Sequence, residues 1–247
     1  PSAATGSYKT YKIDGGAATP STIPYTIQIG DYFCSSDNAS GWYIIPKEFA
    51  PTENDNCIGI VLKAGRDDSG NWADNGNYTL KGSTISMSKV HGYVLALRDA
   101  NGGNSCPWGS YGTEVGCDRN WPTGFNGYSS TQTIVAFNNA QGETLQDTFP
   151  AAYHATTGYE AQYQAPANTS GWFLPSGGQY QYWYNNRDVI LRSVQNAGGD
   201  GWKNWYWSSS EYDSNPAIYV YLLNMLSGGK NYGRKNLDYA VRACLAF

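Results

Sequence analysis

The sequence predicts an α+β fold, and three observations carry that expectation. Short runs rich in β-branched and aromatic residues, each bounded by Gly, Asn, Asp or Pro, fill the first half of the chain as strands would. A capped stretch of helical periodicity follows in the second half. The chain then closes on an apolar strand-like run, after a segment crowded with Tyr, Asn, Asp and Ser in which neither the helical nor the strand period is evident. Composition agrees: 247 residues carry 21 Tyr, 9 Trp and 29 Gly but only 15% charged side chains, the mix of a turn-rich surface protein rather than of a cytosolic helical one. That length buries a substantial core without support from a metal or a disulfide.

In chain order, the strand-like runs are "YTIQIGDYF" at 25–33, "GWYII" at 41–45, "CIGIVLKAG" at 57–65 and "HGYVLALRDA" at 91–100. The pattern changes at "SSTQTIVAFNNA" (129–140) and "DTFPAAYHATTGY" (147–159), which read as short helices or turns. The clearest helix is "PSGGQYQYWYNNRDVILRSVQNAGG". Ser176 and Gln179 have capping-box spacing, each side chain satisfying a first-turn backbone N–H. Tyr180, Trp183, Tyr184, Leu191 and Val194 recur at near-helical spacing as a core face, and Gly198-Gly199 supplies the stop. No internal repeat, low-complexity tract or Pro-rich linker divides the chain, so residues 1–247 read as one elaborated domain.

Several chemistries are excluded or disfavoured. A net charge of −4 argues against nucleic-acid binding, which needs clustered cations, and Lys230, Arg234 and Lys235 read as a solvated loop. No apolar run is long enough to span a membrane, and the polar start "PSAATGSYKTYK" reads as what processing leaves or as a cloning boundary. His91 and His154 are too few for a zinc site without cysteines at ligand spacing and read as structural. In "DDSGNWADNGNY" (67–78), Trp72 stands where a calcium-binding EF-hand loop needs Gly and Tyr78 where it needs Glu, so a solvated turn is expected. No phosphate-binding loop, dinucleotide fingerprint or Gly-x-Ser-x-Gly elbow occurs, and no cofactor is expected. Glu211 and Asp213 form the only carboxylate pair near the polar segment; Glu211 is expected to be a buried acceptor tying loops together rather than a glycosidase acid.

Five cysteines leave alternatives open. Cys106 and Cys117 flank the Gly-rich loop "CPWGSYGTEVGC", which would gain most from a staple, and are the first disulfide candidates; Cys34 and Cys57 are the second. Cys244 is then a buried small hydrophobe, and five free thiols are the alternative.

The succession "GWFLPSGGQY", "YWSSSEYDSNPAIYV" and "YAVRACLAF" resembles the C-type-lectin-fold proteins of bacteria and their phages, a group that includes formylglycine-generating-enzyme-like domains and the variable proteins of diversity-generating retroelements. The resemblance covers Gly171 to Phe247. "IQIGDYFCSSD", "CIGIVLKAG" and "HGYVLALRDA" resemble more loosely the surface and pilus-tip lipoproteins of gut Bacteroidetes. It implies antiparallel sheets with supporting helices elaborated by insertions, paired N- and C-terminal strands, Trp207 to Glu211 as scaffold, and a last strand from Tyr239 to Phe247 with Val241, Cys244 or Ala243, Leu245 and Phe247 as core. It also implies a binding face just before that strand.

In retroelement-diversified members the variable positions derive from asparagine codons mutated at adenine. Tyr206, Tyr212, Asp213, Asn215, Pro216, Ile218, Tyr219, Tyr221, Asn231, Tyr232, Asn236 and Asp238 fit that set; Met225, Lys230 and Lys235 do not and would be fixed. The composition of the segment points the same way, because Tyr gives a large rigid contact with a polar tip and Asn, Ser and Asp give adaptable hydrogen bonds, as in antibody paratopes.

The expectation is therefore a non-catalytic ligand-binding protein, an adhesin or receptor-binding module, with its site within 202–239. Trp202 and Trp205 would stand at the rim and Tyr206, Tyr212, Asp213, Asn215, Tyr219, Tyr221, Asn231, Tyr232, Asn236 and Asp238 would supply contacts. Its partner would be a protein or glycan on another cell or surface, and its place extracellular, on a bacterial cell surface or a phage particle, with a pilus or surface anchor in a longer precursor. A structural pilus or assembly subunit is the alternative. An oxidase of the formylglycine-generating type is disfavoured because only Cys244 follows residue 117, where that chemistry needs a cysteine pair; calcium-dependent sugar binding lacks its Glu-Pro-Asn, Gln-Pro-Asp or Trp-Asn-Asp triplet.

Overall fold

A computed structural model describes residues 8–10, 19–21, 25–36, 39, 41–66 and 77–247. The acidic stretch 67–76, read above as a solvated turn, lies outside the described residues. The fold is mixed α+β, built on antiparallel sheets with a few helices. Its strands are β1 (Tyr8–Thr10), β2 (Thr19–Ser21), β3 (Tyr32–Ser35), β4 (Trp42–Ile45), β5 (Cys57–Ala64), β6 (Gly92–Ala96), β7 (Cys106–Pro107), β8 (Trp205–Glu211), β9 (Tyr219–Asn224), β10 (Lys230–Arg234), β11 (Asp238–Tyr239) and β12 (Cys244–Ala246). Between β7 and β8 come the helices α1 (Gly127–Gln141), α2 (Leu145–Thr148), α3 (Pro150–Ala155), α4 (Thr157–Glu160), α5 (Gly177–Asn185) and α6 (Arg187–Asn196).

Seven strands form one sheet in the order β12-β6-β5-β3-β4-β1-β2, antiparallel except where β1 meets β4. A second sheet has the order β10-β9-β8, and β7 pairs with β11 in a small ribbon. The long apolar runs of β5, β6 and β12 have a simple cause. Successive residues enter two different core clusters, Val94 and Leu245 on one face and Leu95 and Cys244 on the other, so both faces of the sheet centre are buried. A strand buried on both faces reads as a continuous hydrophobic run rather than an alternation.

Helices cover the sheets: α6 lies on β5, α5 on β8 and β9, and α1 on β8. The capping box is present, with the Gln179 N–H donating to Ser176 Oγ at 3.3 Å and the Ser176 N–H donating to Gln179 Oε1 at 2.9 Å. Ser176 Oγ also donates to the Gly124 carbonyl at 2.6 Å, so the cap binds the helix to the loop before α1. Ser176→Ala is expected to cost about 1–2 kcal/mol, which a thermal melt would read as a fall of roughly 2–8 °C in Tm.

Four expectations need correction. The single helix after Pro175 is two, because Asn186 takes a non-helical φ of −115° and its side-chain amide donates to Tyr182 O; Tyr180, Trp183 and Val194 are core, while Tyr184 and Leu191 are half-buried. The run 25–33 becomes strand only from Tyr32, because Gly30 turns the chain at φ +91° and the buried Asp31 carboxylate accepts from the Gln28 N–H, the Lys47 N–H and the Tyr25 hydroxyl. The last strand is interrupted: Tyr239 ends β11 and β12 begins at Cys244. Among the described residues the first and last strands do not pair; β12 lies beside β6 at one edge of the sheet and β1 and β2 at the other.

Candidate functional site

The polar segment singled out by the sequence folds as the sheet of β8, β9 and β10, and its lower part is a hydrogen-bonded platform. Trp207 lies in the core, and the pairing of β8 with β9 then shifts register before Glu211, so the three serines occupy a bulge. Each serine holds a neighbouring segment through one polar group, while the buried Ser209 hydroxyl has no partner among the described residues. Ser208 Oγ donates to Tyr221 O (2.7 Å), the Ser209 N–H to Pro175 O (2.8 Å), and Ser210 Oγ accepts from the Gly177 N–H (3.0 Å).

Glu211 is fully buried and carries the tightest of these junctions. Its carboxylate accepts from the backbone N–H groups of Val115 (2.9 Å), Gly116 (2.9 Å) and Cys117 (3.0 Å) and from Lys235 Nζ (2.7 Å). Lys235 is fully buried too, donates also to Thr113 O (2.6 Å), and stands 4.5 Å from the centre of the Trp108 ring. Burial pushes its pKa down, opposed by Glu211. The solvated-loop reading of Lys235 is therefore corrected: it is the counter-charge of the scaffold.

This junction also corrects the expected Cys106–Cys117 disulfide. All five cysteines are free thiols. The Gly-rich loop is fastened by the Glu211 carboxylate at its far end and by the Trp108 and Gly109 N–H groups donating to Lys235 O at its near end. Cys117 Sγ instead faces Ser130 O. Cys34 and Cys57 are not joined by a disulfide either; their thiols share a hydrogen bond, with the sulfurs 2.9 Å apart.

Above the platform four tyrosines converge. Tyr219 and Tyr221, two apart on β9, share a face; Tyr232 on β10 pairs in register with Tyr221, and Arg234 with Tyr219. Tyr212, just past β8, donates its N–H to Tyr219 O (3.0 Å) and stacks its ring on Tyr232, with centroids 4.3 Å apart and planes 23° apart. Tyr212 meets Tyr221 edge-on at 5.3 Å, and Tyr219 meets Tyr232 at 5.1 Å. Tyr221 is the floor, covered by Tyr212, by Trp121 at 5.6 Å and by Lys230 Nζ at 4.6 Å. Its hydroxyl donates to Asp213 Oδ1 (2.7 Å), which holds the exposed Asp213 carboxyl below its usual range. Hydrogen bonding to Tyr221 raises the Lys230 pKa, so its ammonium stays charged beside the rings. Tyr232 is 47% exposed, and Tyr212 and Tyr219 are half-buried.

The remaining predicted residues divide. Asn231 lies on the opposite face of β10, in register with Leu222, and its side-chain oxygen accepts from the Tyr232 N–H. Asn215 is exposed in the turn before β9, its carbonyl accepting from the Ile218 and Tyr219 N–H groups. Asn236 is exposed in the turn after β10, and Asp238 lies in β11 opposite Pro107.

One assignment fails outright. Tyr206 is fully buried, donating its hydroxyl to Asp99 Oδ1 (3.0 Å), because both faces of β8 are covered there: Trp207 packs with Leu222 on one side and Tyr206 with Leu223, Tyr180 and Trp183 on the other. Trp202 is half-buried, its ring lying against Trp183 at 4.9 Å and under the Arg242 guanidinium at 4.8 Å. Trp205 is half-buried against Tyr239. The sequence reading missed Arg242, a fully buried cation that donates to Ala96 O, Leu97 O and Asp200 O. It also missed Lys235 as a scaffold residue. An isolated cation inside the apolar run from Ala240 to Phe247 is the signal for Arg242, whereas Lys235, between Arg234 and Asn236, carries no such signal.

Among the described residues, no group of three or more His, Cys, Asp or Glu side chains is placed to hold a metal ion, and no helix is long and apolar enough to cross a membrane.

No family model matches the chain. A curated protein of Bacteroides ovatus, provisionally named fimbrium tip subunit Fim1C, is 26% identical over 284 aligned positions, which span 98% of this chain and 49% of that protein. Among solved structures, a fimbrial protein from Bacteroides ovatus ATCC 8483 superposes with a TM-score of 0.66 at 17% identity, over 90% of this chain and 49% of its own. That likeness shows a shared fold, and the chain spans about half the length of the proteins it matches.

Proposed function

We propose that this chain is a non-catalytic ligand-binding module of a surface fimbrial assembly, and that the tyrosine cluster on β9 and β10 is its recognition face. The observation that carries this reading is the mutual packing of Tyr212, Tyr219, Tyr221 and Tyr232 beside the charged Lys230, Asp213 and Arg234. Aromatic rings held against one another lose little rotamer freedom on binding, and an ordered face of this kind gives affinity per contact that a mobile loop does not. The fimbrial names of the two similar proteins support the placement at a cell surface. They support a second reading equally, in which the same face packs on a neighbouring subunit of the assembly.

The finer C-type-lectin identity rests on the second sheet, which would be the binding face of that fold; the separation of the first and last strands departs from it. On the retroelement reading, variation would fall at Tyr212, Asp213, Asn215, Pro216, Ile218, Tyr219, Asn231, Tyr232, Asn236 and Asp238, which are exposed or half-buried, and not at the fully buried Tyr206 and Tyr221. Sequencing the locus across related strains tests this: substitutions confined to adenine-matched codons at those positions support it, and an invariant segment removes it.

The test of the binding reading is a glycan array and a cell-surface protein array probed with the whole chain in EDTA. Saturable binding without calcium is the expected result, together with a Tm that millimolar calcium leaves unchanged. Binding restored only by calcium, or a large calcium-induced rise in Tm, would contradict it.

A further inference from the structure

Cys34 and Cys57 are a pair of nucleophilic side chains that the recognition face does not use. They are register partners where β3 and β5 run antiparallel, and the Ser35 N–H donates to the Asn56 carbonyl one residue beyond them (2.8 Å). That bond marks Cys34 and Cys57 as a non-hydrogen-bonded pair, the closer of the two antiparallel geometries, with a typical Cα separation of about 4.5 Å. A disulfide accepts Cα separations of about 4.4–6.8 Å and needs sulfurs about 2.05 Å apart. The two sulfurs already stand 2.9 Å apart.

We propose that Cys34 and Cys57 are a disulfide-forming site, closed by thiol–disulfide exchange with a small-molecule or protein disulfide and adding a covalent tie between β3 and β5. Cys57 is the point of entry. It is partly exposed and lines a surface cavity of about 370 Å³ together with Asn56, Arg98 and Asn196, whereas Cys34 is buried beneath it. The Cys57 sulfur attacks the oxidant's disulfide and releases one thiol. Cys34 then displaces the second thiol from the mixed disulfide, so the chain loses two electrons and two protons and the oxidant gains both. Burial and the contact with Cys57 push the Cys34 pKa up, which keeps Cys34 from being the first attacker. Cys106, Cys117 and Cys244 are buried, and burial pushes each of their pKa values up, that of Cys106 to about 12. They serve as internal controls. This inference does not depend on the recognition face.

The test is incubation of the native chain in buffers of graded oxidised and reduced glutathione, followed by acid quench, alkylation and peptide mass mapping. The expected product is one linkage between the Cys34 and Cys57 peptides, short of two hydrogens, with the other three cysteines alkylated after unfolding. The oxidised chain should melt about 5–10 °C above the reduced one, and Cys34→Ala/Cys57→Ala should abolish that difference while remaining folded. A mixed disulfide with glutathione that persists at Cys57, linkage through any other cysteine, or two free thiols in the most oxidising buffer would each overturn the proposal.

Discussion

Glu211→Ala is expected to lower the stability of the chain by about 3–5 kcal/mol, a fall of roughly 6–20 °C in Tm. The substitution leaves the buried Lys235 ammonium without its counter-charge and removes the acceptor from three backbone N–H groups at once. A lost acceptor is most costly where the donors stay buried, because water cannot replace it. The reverse substitution is not equivalent. Lys235→Met leaves the Glu211 carboxylate with its three N–H donors, so its loss should be clearly smaller than that of Glu211→Ala. Urea unfolding of the two variants measures the asymmetry, and equal losses, or less than about 1 kcal/mol for Glu211→Ala, would contradict the scaffold assignment.

The combined variant Tyr212→Ser/Tyr219→Ser/Tyr232→Ser is expected to weaken binding to any ligand identified on the arrays by about 30-fold or more, the effect of losing at least one aromatic anchor worth about 2 kcal/mol. Tyr221 is left intact because it is the covered floor of the cluster and its removal would confound binding with folding. The three replaced rings stabilise one another through their edges and faces, so some stability is lost as well. It should remain small, about 5 °C or less in Tm, because none of the three is fully buried. Tyr221→Phe separates the remaining contribution: it keeps the ring but removes the hydroxyl bond to Asp213, and should weaken binding only a few-fold. On the subunit-packing reading the triple variant would instead fail to enter assembled fimbriae while soluble binding stayed the same.

Local pattern made β4 and β5 legible, because "GWYII" and "CIGIVLKAG" are short, apolar and bounded by turn residues. The capping box was legible for the same reason: both of its partners lie within one turn. What escaped depends on contacts distant in sequence. Lys235 meets Glu211 across 24 residues and Arg242 meets Ala96 across 146, so each looks like an ordinary surface charge until the fold joins the segments. The family resemblance and the composition together place the binding segment, and neither distinguishes one tyrosine from another. Position along the sheet does: Tyr206, register partner of Leu223, shares the face of Tyr219 and Tyr221 but lies at the end covered by Tyr180 and Trp183 and donates to Asp99, whereas Tyr219 and Tyr221 reach the cluster. The alternation of Tyr219-Val220-Tyr221-Leu222 is a genuine period of two; it was hidden because an amphipathic tyrosine face scores as neither polar nor apolar. The expectation of a Cys106–Cys117 staple rests on the glycine content of the loop between them, and a buried carboxylate fastens that loop instead.

The central claim is that a ligand contacts the tyrosine cluster directly. It is tested by titrating protein carrying carbon-13 in its tyrosine rings with the strongest array ligand and assigning the ring signals by single Tyr→Phe variants. The account predicts that Tyr212, Tyr219 and Tyr232 shift together and saturate, while the core tyrosines Tyr32, Tyr93 and Tyr180 remain in place. Saturable shifts confined to tyrosines outside the cluster, such as Tyr153 or Tyr163, would contradict it.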